Sequence, residues 1–554
     1  MAPPAQELRN RRSVSPPSEN GSSPSKSRSA SGAVTALSSS PPAGTTTAQA
    51  KAYNPAAYRV RLTSWKDFLH VLKARYMDTV FKVSALMLLG QIANAVAKHS
   101  PAAVMVTASG SAREALSQLS HIPVADACLL AYGELQWMAP VFLLMIGALL
   151  LRRGRSVYLV DFSTFEPPES WKISHPQLLT ILRNVAAQRK SAGLSSNTEA
   201  DIEFQAKVLE NSGTGQATAW PPAIVRCLDA SKCGTITKED TRDEAETIIC
   251  QCLESLFQRT GVQPKEVDFL IINCSLFSPT PSLCALACNK FRFRSSIKTY
   301  NLSGQGCSAS LLSVDLASEL LRANPNSIAV VVSTELISQS LYHGHEKGML
   351  LQNTLFRSGG AAVMLTNKAS RIGQARYRLR HLVRTQTTDD KSYRAVYEQE
   401  DAEGNCGVAL SKEIVKVAGN AMAINLTQLG PLILPLWEQL KVVWSISMKK
   451  LNVAKYREKP KYVPSFKSAI HYFCIHSGGR AVLDGIEKNL RLAPEDMEPS
   501  RSVLREMGNT SSSSIWYELR HVEERMNIRR GHKVLQLAFG SGFKCNSAVW
   551  TRLR

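Results

Sequence analysis

The chain reads as an α/β protein with mixed or parallel sheets, on three observations. From about residue 155 to residue 554, short apolar runs alternate with amphipathic stretches of helical spacing. The runs are rich in β-branched residues and too short for helices, as in Ser327-Ile328-Ala329-Val330-Val331-Val332-Ser333. Turn-forming clusters separate them, as in Glu166-Pro167-Pro168-Glu169. At 554 residues the chain can hold several domains or one large two-lobed unit.

Residues 1–60 are mostly Ser, Pro, Ala, Thr and Gly with scattered Arg and Lys. Such a segment buries too little apolar surface to offset its ordering entropy, so a disordered tail is expected. It has no apolar core of a secretory signal, while its Ser-rich, acid-poor composition also fits a plastid transit peptide.

Residues 61–154 hold two apolar stretches, Val83–Ala97 and the cleaner Leu135–Leu151. With their flanks they approach the roughly 20 residues a bilayer requires, giving two expected membrane helices at about 79–98 and 129–151. Lys66, Lys73, Arg75 and Lys82 precede the first, and Arg152, Arg153 and Arg155 follow the second. Basic flanks on both outer ends place them in the cytosol with a short lumenal loop between. Two buried core helices would leave a similar pattern.

Beyond the hairpin, Val157–Phe162 reads as a strand ended by Glu166-Pro167-Pro168-Glu169. A helix led by Glu244 closes at Gly261, and strands follow at Val267–Asn273, Ser327–Ser333, Gly360–Leu365 and Lys533–Phe539. Gly304-x-Gly306 and Gly540-x-Gly542 lack the rest of a dinucleotide fingerprint.

The formal net charge is +21, of which residues 1–78 supply 7 (11 Lys/Arg against 4 Asp/Glu). Such basicity suits nucleic acid, an anionic membrane face or phosphate-bearing substrates. No nucleic-acid-binding motif accompanies it, so no nucleic-acid partner is expected. The twelve cysteines lack the paired spacing of a tetrahedral zinc site. Most are expected to be reduced, buried and on the cytosolic side, and no metal site is expected.

The chemistry centres on Asn301-Leu302-Ser303-Gly304-Gln305-Gly306-Cys307-Ser308-Ala309-Ser310. Leu312, Leu316, Leu320 and Leu321 continue it with helical spacing, so Cys307 lies where a Gly-rich turn opens a helix. Helix-terminal N–H groups favour negative charge, and the thiolate is the attacking form of cysteine. A buried cysteine acting as a small hydrophobe is the alternative. In His471–Arg480 an apolar strand ends in His476, followed by Ser477-Gly478-Gly479. A polar turn, Gly508-Asn509-Thr510-Ser511-Ser512-Ser513-Ser514, precedes an apolar helix; its serines read as an N-cap, and Asn509 can offer an amide N–H to an oxyanion.

These stretches together resemble the 3-ketoacyl-CoA synthases of very-long-chain fatty acid elongation in plants and algae, a membrane-anchored branch of the thiolase-like condensing enzymes. The resemblance runs from about Ser156 to Trp550. It includes Asn273-Cys274-Ser275-Leu276-Phe277-Ser278-Pro279, Val332-Ser333-Thr334-Glu335, Leu355-Phe356-Arg357-Ser358-Gly359-Gly360 and Gly540-Ser541-Gly542-Phe543-Lys544-Cys545-Asn546.

The resemblance implies a duplicated five-layer αβαβα core behind the membrane hairpin. Residues 155–370 would form the half bearing nucleophile Cys307, and 371–554 the half bearing His476 and Asn509. It implies decarboxylative condensation of malonyl-CoA with a long-chain acyl-CoA and no metal or redox cofactor. Backbone N–H groups of Cys307 and of the Gly540-Ser541-Gly542 turn would serve a second oxyanion. It also implies an endoplasmic-reticulum membrane location, a homodimer, and association with elongase reductases and dehydratase. Gln386 and Arg505 stand where plant relatives often carry histidine, so neither is assigned a catalytic role.

Arg292, Arg294 and Lys298 are candidates for the CoA phosphates, against the reading of a solvated charge cluster. His343 and His345 are expected to shape a pocket entrance or face solvent. Three rivals share part of this evidence. A chalcone-synthase-like enzyme would use the same triad without a hairpin, and a degradative thiolase would require a second cysteine, for which Cys545 is the candidate. A silent elongase subunit would not require the triad.

Overall fold

The computed structural model describes residues 156–451 and 462–554. The expected tail (1–60) and the hairpin (61–154, with helices at about 79–98 and 129–151) lie outside these residues. Among the described residues no helix is long and apolar enough to cross a membrane.

The first half begins with β1 (Tyr158–Thr164), the short ribbon strand β2 (Lys172–Ile173), α1 (His175–Ser191), α2 (Glu199–Ser212) and β3 (Thr218–Ala219). Ser174 and Thr198 start α1 and α2 with capping boxes, each satisfying two otherwise orphaned N–H groups. Then come α3 (Lys238–Thr260), β4 (Phe269–Asn273), α4 (Leu283–Phe291), β5 (Lys298–Leu302), α5 (Ala309–Ala323), β6 (Ile328–Glu335), α6 (Lys347–Leu355) and β7 (Gly359–Thr366). Helix α3 ends as expected at Gly261, which takes the left-handed conformation at φ 63°.

The second half contains β8 (Tyr377–Gln386), β9 (Val396–Glu400), β10 (Cys406–Leu410), α7 (Ile414–Ile433) and α8 (Leu436–Lys450). It continues with β11 (Tyr472–Ile475), α9 (Arg480–Leu490), α10 (Pro494–Glu506), α11 (Ser514–Arg525), β12 (Lys533–Gly540) and β13 (Lys544–Arg552).

Nine strands form one sheet in the order β11-β12-β13-β8-β1-β7-β6-β4-β5. The two halves repeat one pattern. β4 runs parallel to β6, which pairs antiparallel with β7, and β7 with β1. Likewise β11 runs parallel to β12, which pairs antiparallel with β13, and β13 with β8. The halves join where Tyr158 and Leu159 of β1 face Arg378 and Tyr377 of β8.

Alternating side chains divide the core into layers. Ile271 and Val331 face inward with Leu311, Val314 and Ala317 of α5, and meet Trp516 and Leu519 of α11 and Ala538 and Trp550 of the second half. Their neighbours Leu270, Ile272, Val330 and Val332 face outward onto Ile248, Cys252 and Leu256 of α3. In the second half Phe473, Ile475, Leu535 and Leu537 face α7, α9 and α10 through Met422, Leu483 and Met497. Helices α5 and α11 thus lie between the two sets of strands, with helices outside both. Burial on both faces explains why β4, β6 and β7 read as unbroken apolar runs.

Trp516 anchors the central layer: its ring lies 5.8 Å from Phe162 and 6.3 Å from Trp550, and its indole N–H donates to Ser310 Oγ at 2.6 Å. Truncating such a buried ring costs about 3–5 kcal/mol. Cys252, Cys274, Cys284, Cys474 and Cys545 are buried free thiols, as expected. Cys227 and Cys233 depart from that expectation, forming a disulfide with Cα atoms 4.2 Å apart.

Candidate active site

The repeated topology brings two equivalent helix starts together. Helix α5 follows the single turn Gly306–Ser308, and α11 follows the single turn Ser511–Ser513. Cys307 therefore meets the Asn509–Ser514 stretch across the central layer, and the end of β11 delivers His476 beside them. Cys307, His476 and Asn509 line one cavity of about 510 Å³, whose lining is mainly apolar and includes Leu351, Leu355, Phe356, Val408 and Phe539.

Two glycines set the Cys307 turn. Gly306 adopts φ 60°, and a Cβ on it would stand 2.8 Å from the Ser541 backbone nitrogen. A Cβ on Gly540 would overlap Ser308 Oγ and the Gln305 carbonyl oxygen. The Gly540-Ser541-Gly542 turn is therefore packed directly on the Cys307 turn. Gly540 and Ser541 line the cavity, with Gly542 just beyond.

The four serines do not cap α11, whose N-cap makes no side-chain hydrogen bond. Each hydroxyl is used elsewhere. Ser511 lies within hydrogen-bond reach of Glu335 and Cys307, Ser512 donates to Asn273 Oδ1 at 2.7 Å, and Ser513 donates to the Thr510 carbonyl at 2.9 Å. Ser514 Oγ lies 2.6 Å from His476 Nδ1. Through Ser511 and Ser512 the buried serine run bonds across to the first half.

Asn509 is fixed by its own turn. Its Oδ1 accepts the Ser511 N–H at 2.9 Å, which turns Nδ2 toward the Gly478 carbonyl at 3.2 Å. An amide nitrogen carries two protons, so one remains for the cavity. His476 is buried, which holds its imidazole down to about 4 and keeps it neutral at physiological pH. Its ring lies against Gly478, where a Cβ would stand 3.2 Å from Nε2.

The thiol departs from the helix-terminus expectation. Burial and the nearby Glu335 carboxyl push Cys307 up to about 12, while the Ser511 hydroxyl pulls it down. Desolvation outweighs the helix field, so the resting sulfur is a thiol and its proton must be taken during reaction. In sequence Glu335 ends an apolar strand, within the Val332-Ser333-Thr334-Glu335 stretch of the resemblance, and carries no assigned role. In the fold it is buried, accepts the Ser275 and Leu276 N–H groups at 2.7 Å each, and faces Ser511 at 2.9 Å. Burial raises its carboxyl above the usual range.

The remaining candidates lie away from the cavity lining. Arg294 pairs with Asp268 at 2.5 Å, Lys298 lies over the Phe269 ring at 5.8 Å, and Arg292 is exposed at the end of α4. The cations that do line the cavity are Lys207 and Arg480. His345 pairs with Asp201 at 2.7 Å, and burial lowers His343 to about 4. Cys545 is buried in β13 and does not line the cavity. Gln386 reaches the Gly542 carbonyl at 3.5 Å, and Arg505 bonds Ser502 at 2.9 Å. Neither lines the cavity. Among the described residues no group of three or more His, Cys, Asp or Glu is arranged to hold a metal ion.

Known proteins resemble this chain in sequence and in fold. Residues 149–451 match the family described as FAE1/type III polyketide synthase-like protein. Residues 466–552 match the 3-oxoacyl-[acyl-carrier-protein] synthase III C-terminal family. 3-Ketoacyl-CoA synthase 5 of Arabidopsis thaliana is 49% identical over 401 residues, covering 72% of this chain and 78% of that protein. 3-Ketoacyl-CoA synthase 6 of the same plant is 48% identical over 401 residues, covering 72% and 77%. Among solved structures, the C-terminal type III polyketide synthase domain of Steely1 from Dictyostelium superposes with a TM-score of 0.54 at 18% identity, covering 72% of this chain and 100% of that one. That likeness carries the fold alone, a thiolase-like mixed α/β architecture. The chain belongs to the FAE1/type III polyketide synthase-like family, among its 3-ketoacyl-CoA synthases.

Proposed function

We propose that the chain is a 3-ketoacyl-CoA synthase, an acyltransferase that performs the condensing step of very-long-chain fatty acid elongation. The observation that carries this reading is the meeting of Cys307, His476 and Asn509 in one largely apolar cavity, in a chain with nearly half its aligned residues identical to named synthases.

In this account Cys307 Sγ attacks the thioester carbon of a long-chain acyl-CoA. The S–C bond to the enzyme forms, the bond to CoA breaks, and the thiol proton leaves with CoA as its thiol. Neutral His476 takes that proton at Nε2 while its Nδ1–H donates to Ser514 Oγ, and passes it to the leaving CoA sulfur. The ring then changes to the Nε2–H tautomer, with Nδ1 accepting from Ser514. Malonyl-CoA then enters, and its bond to the carboxylate breaks with release of carbon dioxide. The electron pair becomes an enolate whose oxygen is met by the free Asn509 Nδ2–H and by His476 Nε2–H, the latter set when Ser514 donates to Nδ1. The enolate carbon attacks the acyl carbon on Cys307, the S–C bond breaks, and the sulfur leaves as a thiolate that takes a proton from water to restore the thiol. The product is a 3-oxoacyl-CoA two carbons longer.

During both acyl-transfer steps, the Cys307 and Ser541 N–H groups would hold the second oxyanion, in a turn closed by Gly540 and Gly542. Lys207 and Arg480 are better placed for CoA phosphates than Arg292, Arg294 or Lys298, because the first two line the cavity. No metal or redox group takes part in this scheme.

The reading further places residues 61–154 as a two-helix hairpin in the endoplasmic reticulum membrane, with the catalytic residues on the cytosolic side. It includes a homodimer and association with the reductases and dehydratase of elongation. The open edge of the sheet at β5, whose Lys298 and Thr299 are exposed, supports pairing with a second copy.

The test uses microsomes containing the protein, labelled malonyl-CoA and acyl-CoAs of graded length. Wild type should form labelled 3-oxoacyl-CoA and Cys307→Ala should not. Absence of product from wild type, or equal product from the variant, would overturn the reading.

A further inference from the structure

Helix α8 has its polarity reversed. At about 100° per residue, Leu436, Trp437, Leu440, Val443 and Trp444 fall on one stripe roughly 120° wide. These side chains are 44% to 58% exposed. The opposite side carries Glu438, only 1% exposed, which accepts from Lys441 Nζ at 3.1 Å, Tyr462 Oη at 2.9 Å and the Ser465 N–H at 3.1 Å. A helix packed on a core and facing water shows the reverse arrangement. Of the ten large apolar side chains exposed among the described residues, seven lie within 436–451, so the feature is local rather than general stickiness.

Charge indicates what covers this stripe. Glu438 is the only acid in α8 and pairs with Lys441, so the helix, with Lys441, Lys449 and Lys450, carries a surplus of two positive charges (three cations less one acid). Lys441 and Lys450 fall at the two borders of the stripe, and Lys441 Nζ lies 3.8 Å from the Trp437 ring centre. An apolar band with two tryptophans and bordering lysines matches the boundary between acyl chains and anionic headgroups. A protein partner's apolar groove would not call for cations at both borders.

Position adds a second argument. Only Leu434 and Pro435 separate α8 from α7. The first turns of α7 line the cavity of Cys307 through Ile414, Val415 and Ala418. The 20 residues of α7, about 30 Å, thus connect the apolar cavity at one end to the exposed apolar helix at the other.

We propose that α8 lies in the plane of an anionic bilayer surface, with Leu436, Trp437, Leu440, Val443 and Trp444 below the headgroups. This contact is separate from the hairpin of residues 61–154 and does not depend on it. It holds the catalytic half flat against the lipid that supplies its acyl substrate.

The test is lipid quenching of tryptophan emission in the full-length protein. Of eight tryptophans, Trp171, Trp220, Trp516 and Trp550 are buried in the core. Two of the remaining four lie in α8. The protein is reconstituted in phosphatidylcholine vesicles with about one-fifth phosphatidylserine, the phosphatidylcholine brominated close to the glycerol. The pair Trp437→Phe and Trp444→Phe should lose at least half of the bromine-quenchable emission while still forming 3-oxoacyl-CoA. Leu440→Trp, in the otherwise native chain, should gain quenchable emission even if the Phe pair folds poorly. Unchanged quenching in both variants overturns the proposal. So does quantitative disulfide linkage of Leu440→Cys copies, which would assign the stripe to a second copy, or its cross-linking to residues 79–98 or 129–151. The quenching readout is independent of catalysis, so loss of synthase activity and loss of lipid contact are distinguishable.

Discussion

The Ser511 hydroxyl lies 3.4 Å from the Cys307 sulfur and 2.9 Å from Glu335 Oε2. It has one proton and two neighbours that can take it. When Ser511 donates to Glu335, the sulfur keeps its own proton. When a protonated Glu335 donates to Ser511, the hydroxyl is free to support a thiolate. The pair therefore tunes the nucleophile from the cavity lining.

Opposite effects of two substitutions test this. Ser511 lowers the Cys307 thiol and Glu335 raises it. Ser511→Ala should slow alkylation of Cys307 by about fivefold at fixed pH, equivalent to about 1 kcal/mol. Glu335→Gln keeps acceptors for the Ser275 and Leu276 N–H groups but removes the charge, and should speed alkylation. Iodoacetamide rates across pH, read at the Cys307 peptide, check both. A shift in the same direction for both variants would leave a merely structural role.

Asn509 should separate the two halves of the reaction. Asn509→Ala leaves Cys307 and its turn intact, so acylation from acyl-CoA should persist. Release of carbon dioxide from malonyl-CoA should fall by about 10²–10³, the effect of losing one oxyanion donor. Quantifying acyl-enzyme and labelled carbon dioxide in parallel decides this. Equal loss of both would assign Asn509 to folding instead.

Acid stability should report His476. An unfolded histidine titrates near 6.5, whereas burial holds the folded one near about 4. Between these values the unfolded chain binds the extra proton, so acidification favours unfolding by about 3 kcal/mol in total. His476→Gln should lose less stability than wild type from pH 6.5 to pH 4, and the same above pH 7. Denaturant midpoints at matched pH measure the difference.

The packed turns predict a graded cost for glycine. Gly304 has φ 66° with open space around it, so Gly304→Ala should cost about 1 kcal/mol of backbone strain. Gly540→Ala carries no such strain but must displace Ser308 and Gln305, and should cost about 2–3 kcal/mol and impair activity. Thermal midpoints of the two variants side by side test the order.

Much of this architecture could be read along the chain. Strands β4, β6, β7 and β12 announce themselves because burial on both faces demands apolar runs, and Cys307 stands out because a Gly-rich turn opens an apolar helix. The position of Glu335 was not legible, because its partner Ser511 is 176 residues away. The serines of 511–514 resemble a local cap, and only the packing of two halves shows that Ser511 and Ser512 bond across the seam. Arg292, Arg294 and Lys298 are close to Cys307 in sequence, yet α4 and β5 carry them off the cavity lining. The α8 pattern has a core-facing period, and sequence cannot tell which face turns outward.

The central claim is that Cys307 carries the growing chain, and trapping the acyl-enzyme tests it most directly. The full-length protein is incubated with palmitoyl-CoA without malonyl-CoA, and its proteolytic peptides are weighed. The account predicts one palmitoyl group in thioester linkage on Cys307, discharged as a 3-oxoacyl-CoA two carbons longer when malonyl-CoA is added. An acyl group on another residue, or one at Cys307 that malonyl-CoA does not discharge, would contradict it.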